Sequence, residues 1–221
     1  MLSKRLQTVY DNINDAQIVA DIGTDHGYIP IALINNNKAT KVYASDIAEG
    51  PLNNAKKNIE TLNLQDKIIP VLSNGLDNIP NDIDTIVIAG MGFYKCEEIL
   101  EDNLSKLYLS KQIIVQVNRD VGKLRRWISN HHFTIVNEDI VYEGMYYQVI
   151  VFNCNYHRAY SDLEIALGPI LMQNQSPLFI EYLEYLLLKQ REIFENVPEH
   201  TERYRELRKD IKSLESILKV K

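Results

Sequence analysis

The densest chemistry in the sequence lies in Asp21-Ile22-Gly23-Thr24-Asp25-His26-Gly27-Tyr28. Glycines let a backbone approach a ligand closely, and a helix starting behind them presents free N–H groups. The spacing is DxGxDxG, whereas a dinucleotide fingerprint reads GxGxxG. Asp25 stands where a pyrophosphate would approach, and a carboxylate there repels phosphate. It suits a ligand with an ammonium group. Asp46 follows about 20 residues after Gly23, where Rossmann-like folds place an acid on ribose hydroxyls. With Ile47 beside it, Asp46 is assigned to a nucleoside ligand. Asn74 and Gly75 form a third segment, whose amide both donates and accepts as an adenine edge requires. Read singly, each segment is also an ordinary turn or cap.

Two further segments belong to a second substrate. Gly90-Met91-Gly92 leaves space for a transferred group and a flat acceptor, with Phe93 next to it. Asn118 is placed to hold a base and Arg119 a phosphate, although capping explains both equally well. His26 and Tyr28 share the first loop and are expected to face the reacting centre. Lys123, Arg125, Arg126, Trp127, His131 and His132 form the densest basic cluster. Such clusters contact phosphates and stack bases. Trp127 itself falls at core spacing with Leu124 and Ile128.

These segments need a scaffold that brings strand ends together. Apolar runs at Ile18–Gly23, Lys41–Asp46, Ile68–Leu72, Asp84–Gly90 and Gln112–Val117 read as parallel strands, with Pro70 marking an edge. Helical stretches separate them, at Leu2–Ile13, Tyr28–Asn35, Gly50–Asn63, Glu97–Leu107 and Val121–Asn130. The pattern then changes. Phe133–Tyr142 and Met145–Phe152 flank a Glu143-Gly144 turn, which predicts an antiparallel hairpin. An NAD-binding domain continues with parallel strands, whereas a terminal hairpin fits a Rossmann-like class I methyltransferase with a seven-stranded, mostly parallel sheet. The nucleoside ligand is then S-adenosyl-L-methionine, which carries both an α-ammonium and a sulfonium. Tyr204, Leu207, Ile211, Leu214 and Leu218 form a heptad seam, so the tail is expected to be a helical hairpin or small coiled coil. The predicted domains are 1–155 for methyl transfer and 156–221 for a helical, coiled-coil-like unit.

The bulk numbers fit this scheme. Hydrophobic residues make up 45% and charged residues 24%, the balance of a globular chain. A net charge of −6 excludes a generic nucleic-acid coat, so any RNA contact must be local. Cys96 and Cys154 lack metal or disulfide spacing, and no metal is expected. No apolar run is long enough to span a membrane, and the opening residues lack a signal-peptide core. A cytoplasmic monomer without membrane contact is the expectation.

The chain resembles the bacterial tRNA (adenine-22-N1)-methyltransferases along nearly its whole length. The resemblance rests on Leu2-Ser3-Lys4-Arg5-Leu6, Ala20 to Pro30, Asp46 with Gly50-Pro51, Asn74-Gly75-Leu76, Ile88-Ala89-Gly90-Met91-Gly92, Val121 to Ile128 and the hairpin. It implies methyl transfer from S-adenosylmethionine to N1 of adenosine 22 in tRNA. It also implies cofactor contacts from Asp21, Gly23, Thr24, Asp25, His26, Gly27, Asp46, Ile47, Asn74, Gly75, Gly90, Met91 and Gly92. Arg5, Tyr28, Phe93, Arg119, Lys123, Arg125 and Arg126 are then expected at the tRNA, with His26, Tyr28 and Asn118 at the reacting base. Phe93 replaces a usual glycine and Val117 a usual proline, changes expected to narrow the acceptor loop and remove a kink beside Asn118. Rival readings are a methyltransferase for another RNA or a small molecule, an NAD(P)-dependent oxidoreductase, and a silent RNA-binding module.

Overall fold

The computed structural model describes residues 2–219 and divides into two units, Met1–Gln173 and Asn174–Lys221. The boundary falls later than the expected 155/156, because the segment after the hairpin packs with the first unit.

The first unit opens with α1 (Lys4–Asp11), capped by Ser3, whose hydroxyl accepts from Leu6 N. It continues with β1 (Ile18–Ile22), α2 (Tyr28–Asn35), β2 (Lys41–Asp46), α3 (Glu49–Thr61), β3 (Ile68–Leu72), β4 (Thr85–Met91), α4 (Phe93–Asp102), α5 (Leu104–Leu109), β5 (Gln112–Val117) and α6 (Val121–Asn130). The hairpin strands β6 (Phe133–Tyr142) and β7 (Tyr146–Tyr156) follow, then the short helices α7 (Asp162–Leu167) and α8 (Pro169–Asn174).

The sheet order is β3-β2-β1-β4-β5-β7-β6. The first five strands pair in parallel; β7 pairs antiparallel to β5 and to β6. Pro70 therefore sits on an edge strand, as its missing N–H requires. The order reverses between β1 and β4, which opens a crevice at their carboxyl ends. Central strands are buried on both faces by two apolar clusters, one around Ile86, Ile88, Ile113 and Trp127, the other around Val19, Leu33, Val42 and Val87. This is why they read as continuous apolar runs.

The expected helix 97–107 differs. It begins at Phe93 and breaks at Asn103, whose side chain donates to Ile99 O while its backbone carbonyl accepts from Lys106 N at 2.9 Å. In α7, a capping box joins Ser161 and Glu164. The second unit contains α9 (Pro177–Phe194) and α10 (Glu202–Lys219), which fold back on each other. Leu207 and Leu214 of the heptad seam are buried, Phe194 stacks on Tyr204, and Arg191 pairs with Glu215 at 2.6 Å. No helix among the described residues is long and apolar enough to cross a membrane.

Candidate cofactor cleft and acceptor rim

The loop between β1 and α2 is held in an unusual conformation. Gly23, Asp25 and Gly27 all have positive φ, at 76°, 50° and 73°. Glycine adopts this region freely, and aspartate is among the few other residues that tolerate it. The surroundings hold it in place: Gly23 N and Thr24 N both donate to Ser45 O, and Asp25 N donates to the Asp46 carboxylate at 3.3 Å. The second Asp46 oxygen accepts from Ala48 N. Asp46 thus joins the ends of β1 and β2 and faces the crevice.

Two cavities meet at Gly23. One, of about 290 Å³, is lined by Arg5, Asp21, Thr24, Asp25, Tyr28 and Gly90 among others. The other, of about 140 Å³, is lined by Asp46, Ile47, Asn74, Gly75, Met91 and Lys95 among others. They lie side by side along the ends of β1, β2 and β4, with the Met91 side chain packed against Gly23. Most of the expected cofactor residues are thereby brought together. His26, Gly27 and Gly92 stand in the adjoining loops rather than in these linings.

The first cavity holds two carboxylates and one guanidinium. Asp21 is buried, and its carboxyl is pushed up to about 6. Burial is the main cause; the nearby Thr24 hydroxyl opposes the rise, and the Asp46 charge adds to it. Thr24 Oγ1 is itself buried with no partner at hydrogen-bond distance among the described residues. The Arg5 guanidinium donates to Gln116 Oε1 at 2.6 Å and lies 5.6 Å from the Tyr147 ring centre. Gly90 is required here: its φ is 81°, and a Cβ would stand 3.3 Å from Arg5 Nη1. Arg5, expected at the tRNA, lines this first cavity with Asp21 and Asp25.

The acceptor rim lies at the ends of β4 and β5. Buried Gln116 accepts from Gly90 N and donates to Asn118 Oδ1, while Asn118 Nδ2 donates to Gly90 O at 2.7 Å. Asn118 N also donates to Met91 O, and the β4–β5 pairing shifts register at Gly90, between Ala89↔Gln116 and Met91↔Val117. Asn118 is exposed, and its amide braces this rim. At the other side of the mouth Tyr28 is half exposed and stacks on His26 at 5.3 Å. The His26 ring lies 3.5 Å from the Asp25 carboxylate.

Two expected contacts need correction. Arg125 is fully buried and does not face RNA. It donates to Glu138 Oε1 at 2.6 Å and to Gln148 Oε1 at 2.5 Å, a clamp between α6 and the hairpin. Its place on the Val121–Leu124–Ile128 face of α6 was the sequence signal for this. Phe93 is 5% exposed and packs into the core, so it neither stacks a base nor narrows the loop. The next residue, Tyr94, is 65% exposed and was missed; its hydroxyl accepts from Lys123 Nζ at 2.8 Å. Arg126 is exposed and paired with Asp162. Arg119 is exposed and makes no hydrogen bond or ion pair among the described residues. No metal-ligating group of three or more His, Cys, Asp or Glu occurs among the described residues.

Comparison with known proteins agrees with this geometry. The sequence profile of the tRNA (adenine(22)-N(1))-methyltransferases matches residues 19–216. The Bacillus subtilis tRNA (adenine(22)-N(1))-methyltransferase is 31% identical, covering 99% of this chain and 95% of the relative. The solved M. capricolum TrmK, in complex with S-adenosyl-homocysteine, is 36% identical with a TM-score of 0.87, covering 100% of this chain and 99% of that one. A Streptococcus pneumoniae putative tRNA (m1A22) methyltransferase in complex with S-adenosyl-L-methionine is 31% identical with a TM-score of 0.88, covering 99% of this chain and 100% of that one. The chain belongs to the tRNA (adenine(22)-N(1))-methyltransferase family.

Proposed function

We propose that this chain, acting as a monomer in the cytoplasm, methylates N1 of adenosine 22 in tRNA from S-adenosylmethionine bound in the cleft around Gly23. One observation carries the assignment of the cleft: a guanidinium and two carboxylates line one end, and a ribose-type acid lines the other. A zwitterionic amino-acid end and a nucleoside end need this division. Thr24 Oγ1, buried near the Asp21 carboxyl with no partner at hydrogen-bond distance among the described residues, supplies a further polar group for the amino-acid end. The residues therefore fit the cofactor. Arg5 takes the carboxylate, Asp21 and Asp25 the ammonium, Asp46 the ribose hydroxyls, and Ile47, Asn74 and Gly75 surround the adenine.

When bound, the cofactor supplies an electrophilic methyl group on its sulfonium. Adenine N1 has a free lone pair and is neutral, so no strong base is needed before attack. The chain's work is positioning and exclusion of water. Gly90, Met91 and Gly92 leave the acceptor rim open, and Asn118 orients the base edge with the hydrogen-bonding capacity its bracing bonds leave. N1 lies on the Watson–Crick edge, so the target nucleotide must leave its stack. Tyr28 and the exposed Tyr94 offer rings at the mouth for that base. Arg119, Lys123 and Arg126 contact the tRNA backbone, and α9–α10 is a second tRNA contact. The heptad seam is used inside the chain, which supports the monomer.

The test is methyl transfer from labelled S-adenosylmethionine to unmodified tRNA, with the product nucleoside identified and mapped. Label in 1-methyladenosine at position 22, lost when that base is guanosine, is the expected result. Label in another nucleoside or position overturns the acceptor assignment.

A further inference from the structure

We infer that Glu143, in the hairpin turn, is a positioning residue that holds α1 so that Arg5 reaches the cofactor; this rests on the assignment of Arg5 to the cofactor's carboxylate. The first turn of α1 contains no acidic residue of its own. Its exposed amides are met by a side chain from far along the chain: Glu143 Oε1 accepts from Lys4 N at 3.1 Å and Oε2 from Arg5 N at 3.3 Å. A carboxylate at a helix N-terminus satisfies orphan donors and complements the dipole. One of the two donors is the backbone of Arg5 itself.

The other end of α1 is secured separately. Asn137 donates to the Asn12 side chain at 2.7 Å, and Lys38 Nζ donates to Tyr10 O at 2.7 Å. Loss of Glu143 therefore loosens the N-terminal turn, which keeps only its Ser3 cap, while the helix stays docked. That turn carries Arg5, whose guanidinium must cross to Gln116 and to the first cavity. Gln116 accepts from both Arg5 and Gly90 N, so a displaced Arg5 also disturbs the backbone where the acceptor rim begins. The turn that carries Glu143 is set by Gly144 at φ 75°, which fixes where the carboxylate is delivered.

The experiment is a double-mutant cycle on cofactor affinity by calorimetry, using the full chain and S-adenosylmethionine. Glu143→Ala is expected to raise Kd about tenfold, Glu143→Gln less, because one acceptor oxygen remains. Arg5→Ala is expected to raise it at least as much, and the double variant to match Arg5→Ala alone, since both act through one guanidinium. Thermal unfolding of each variant reports the fold. An unchanged Kd in Glu143→Ala, or additive effects in the double variant, overturns the positioning role while leaving Arg5 in the cleft. An unchanged Kd in Arg5→Ala overturns the assignment of Arg5, and the role of Glu143 with it.

Discussion

Arg5 and Arg125 both reach partners far along the chain, yet the cleft and the α6–hairpin junction use them in opposite ways. Arg125 gives three hydrogen bonds, to Glu138, Gln148 and the Ile165 carbonyl, and no surface remains exposed. Arg5 is half-buried and gives one side-chain hydrogen bond, to Gln116, among the described residues, beside a cavity with two carboxylates. A guanidinium has five donors. One whose donors are spent on protein is a clamp, whereas one with donors left beside a cavity is available to a ligand.

Removing the clamp gives the largest expected effect. Arg125→Ala leaves Glu138 charged and buried, and breaking such a pair costs about 3–5 kcal/mol. Glu138 also accepts from Ile170 N and Leu171 N, so the α7–α8 segment loosens with it. Gly168 sits against the same pair: at φ 94°, a Cβ would come 2.6 Å from Arg125 Nη2, so Gly168→Ala is expected to be comparably damaging. Urea unfolding measures both. A loss below about 1 kcal/mol in Arg125→Ala would place this arginine with the surface pairs.

The cleft is sensitive to pH instead. Asp21 has a folded pKa of about 6 against an ordinary 3.8. Between those values the folded state holds the extra proton, so stability falls as pH rises from about 4 to about 6 and is level above. The full cost is on the order of 3 kcal/mol. An ammonium beside Asp21 favours the charged form, so cofactor affinity should rise with pH through about 6. Chemical unfolding and calorimetry across pH 4–8 test both, with Asp21→Asn as the comparison; the same slope in that variant would remove Asp21 as the cause.

The contrast also explains what the sequence made legible. The cleft loops were readable because their chemistry is local: Asp21, Gly23 and Asp25 lie within five residues, and strand ends bring such loops together in any sheet of this order. The hairpin was readable from the Glu143-Gly144 turn between two alternating runs. The burial of Arg125 was legible from its place on the Val121–Leu124–Ile128 face, but its partners Glu138 and Gln148 were not, because only the folded hairpin delivers them. Phe93 was misplaced and Tyr94 missed because the start of α4, at Phe93 and not Glu97, decides which ring turns inward. The short helices α7 and α8 lack a full amphipathic period, so periodicity gave no warning of them.

At the other end of the cleft, Asp46→Ala removes the proposed acceptor for ribose hydroxyls. Losing a charged hydrogen-bond acceptor costs about 1.5–3 kcal/mol, so cofactor Kd should rise between about tenfold and a hundredfold. Asp46 also receives Asp25 N and Ala48 N, and Asp46→Asn keeps an acceptor for one of them. Calorimetry on both variants separates ligand contact from loop support. If Asp46→Asn binds as tightly as wild type, the charge has no part in ribose recognition.

The smallest effect belongs to Arg119, and it sharpens the comparison most directly. Arg119 is the exposed counterpart of Arg125, six residues earlier and without a partner among the described residues. If it meets a phosphate, Arg119→Ala weakens tRNA binding by about 1 kcal/mol and lowers the salt dependence of the binding constant by about one unit of slope. Cofactor affinity and unfolding should stay as in wild type, since nothing in the fold uses its charge. Arg126→Ala is expected to do less, because its guanidinium already pairs with Asp162 at 3.0 Å and must give up that partner to reach RNA. tRNA binding measured at several salt concentrations decides the ranking. Equal slopes for wild type and Arg119→Ala would show that an unpaired arginine on this rim is not enough to make a phosphate contact, and would move the basic footprint away from the β5–α6 loop.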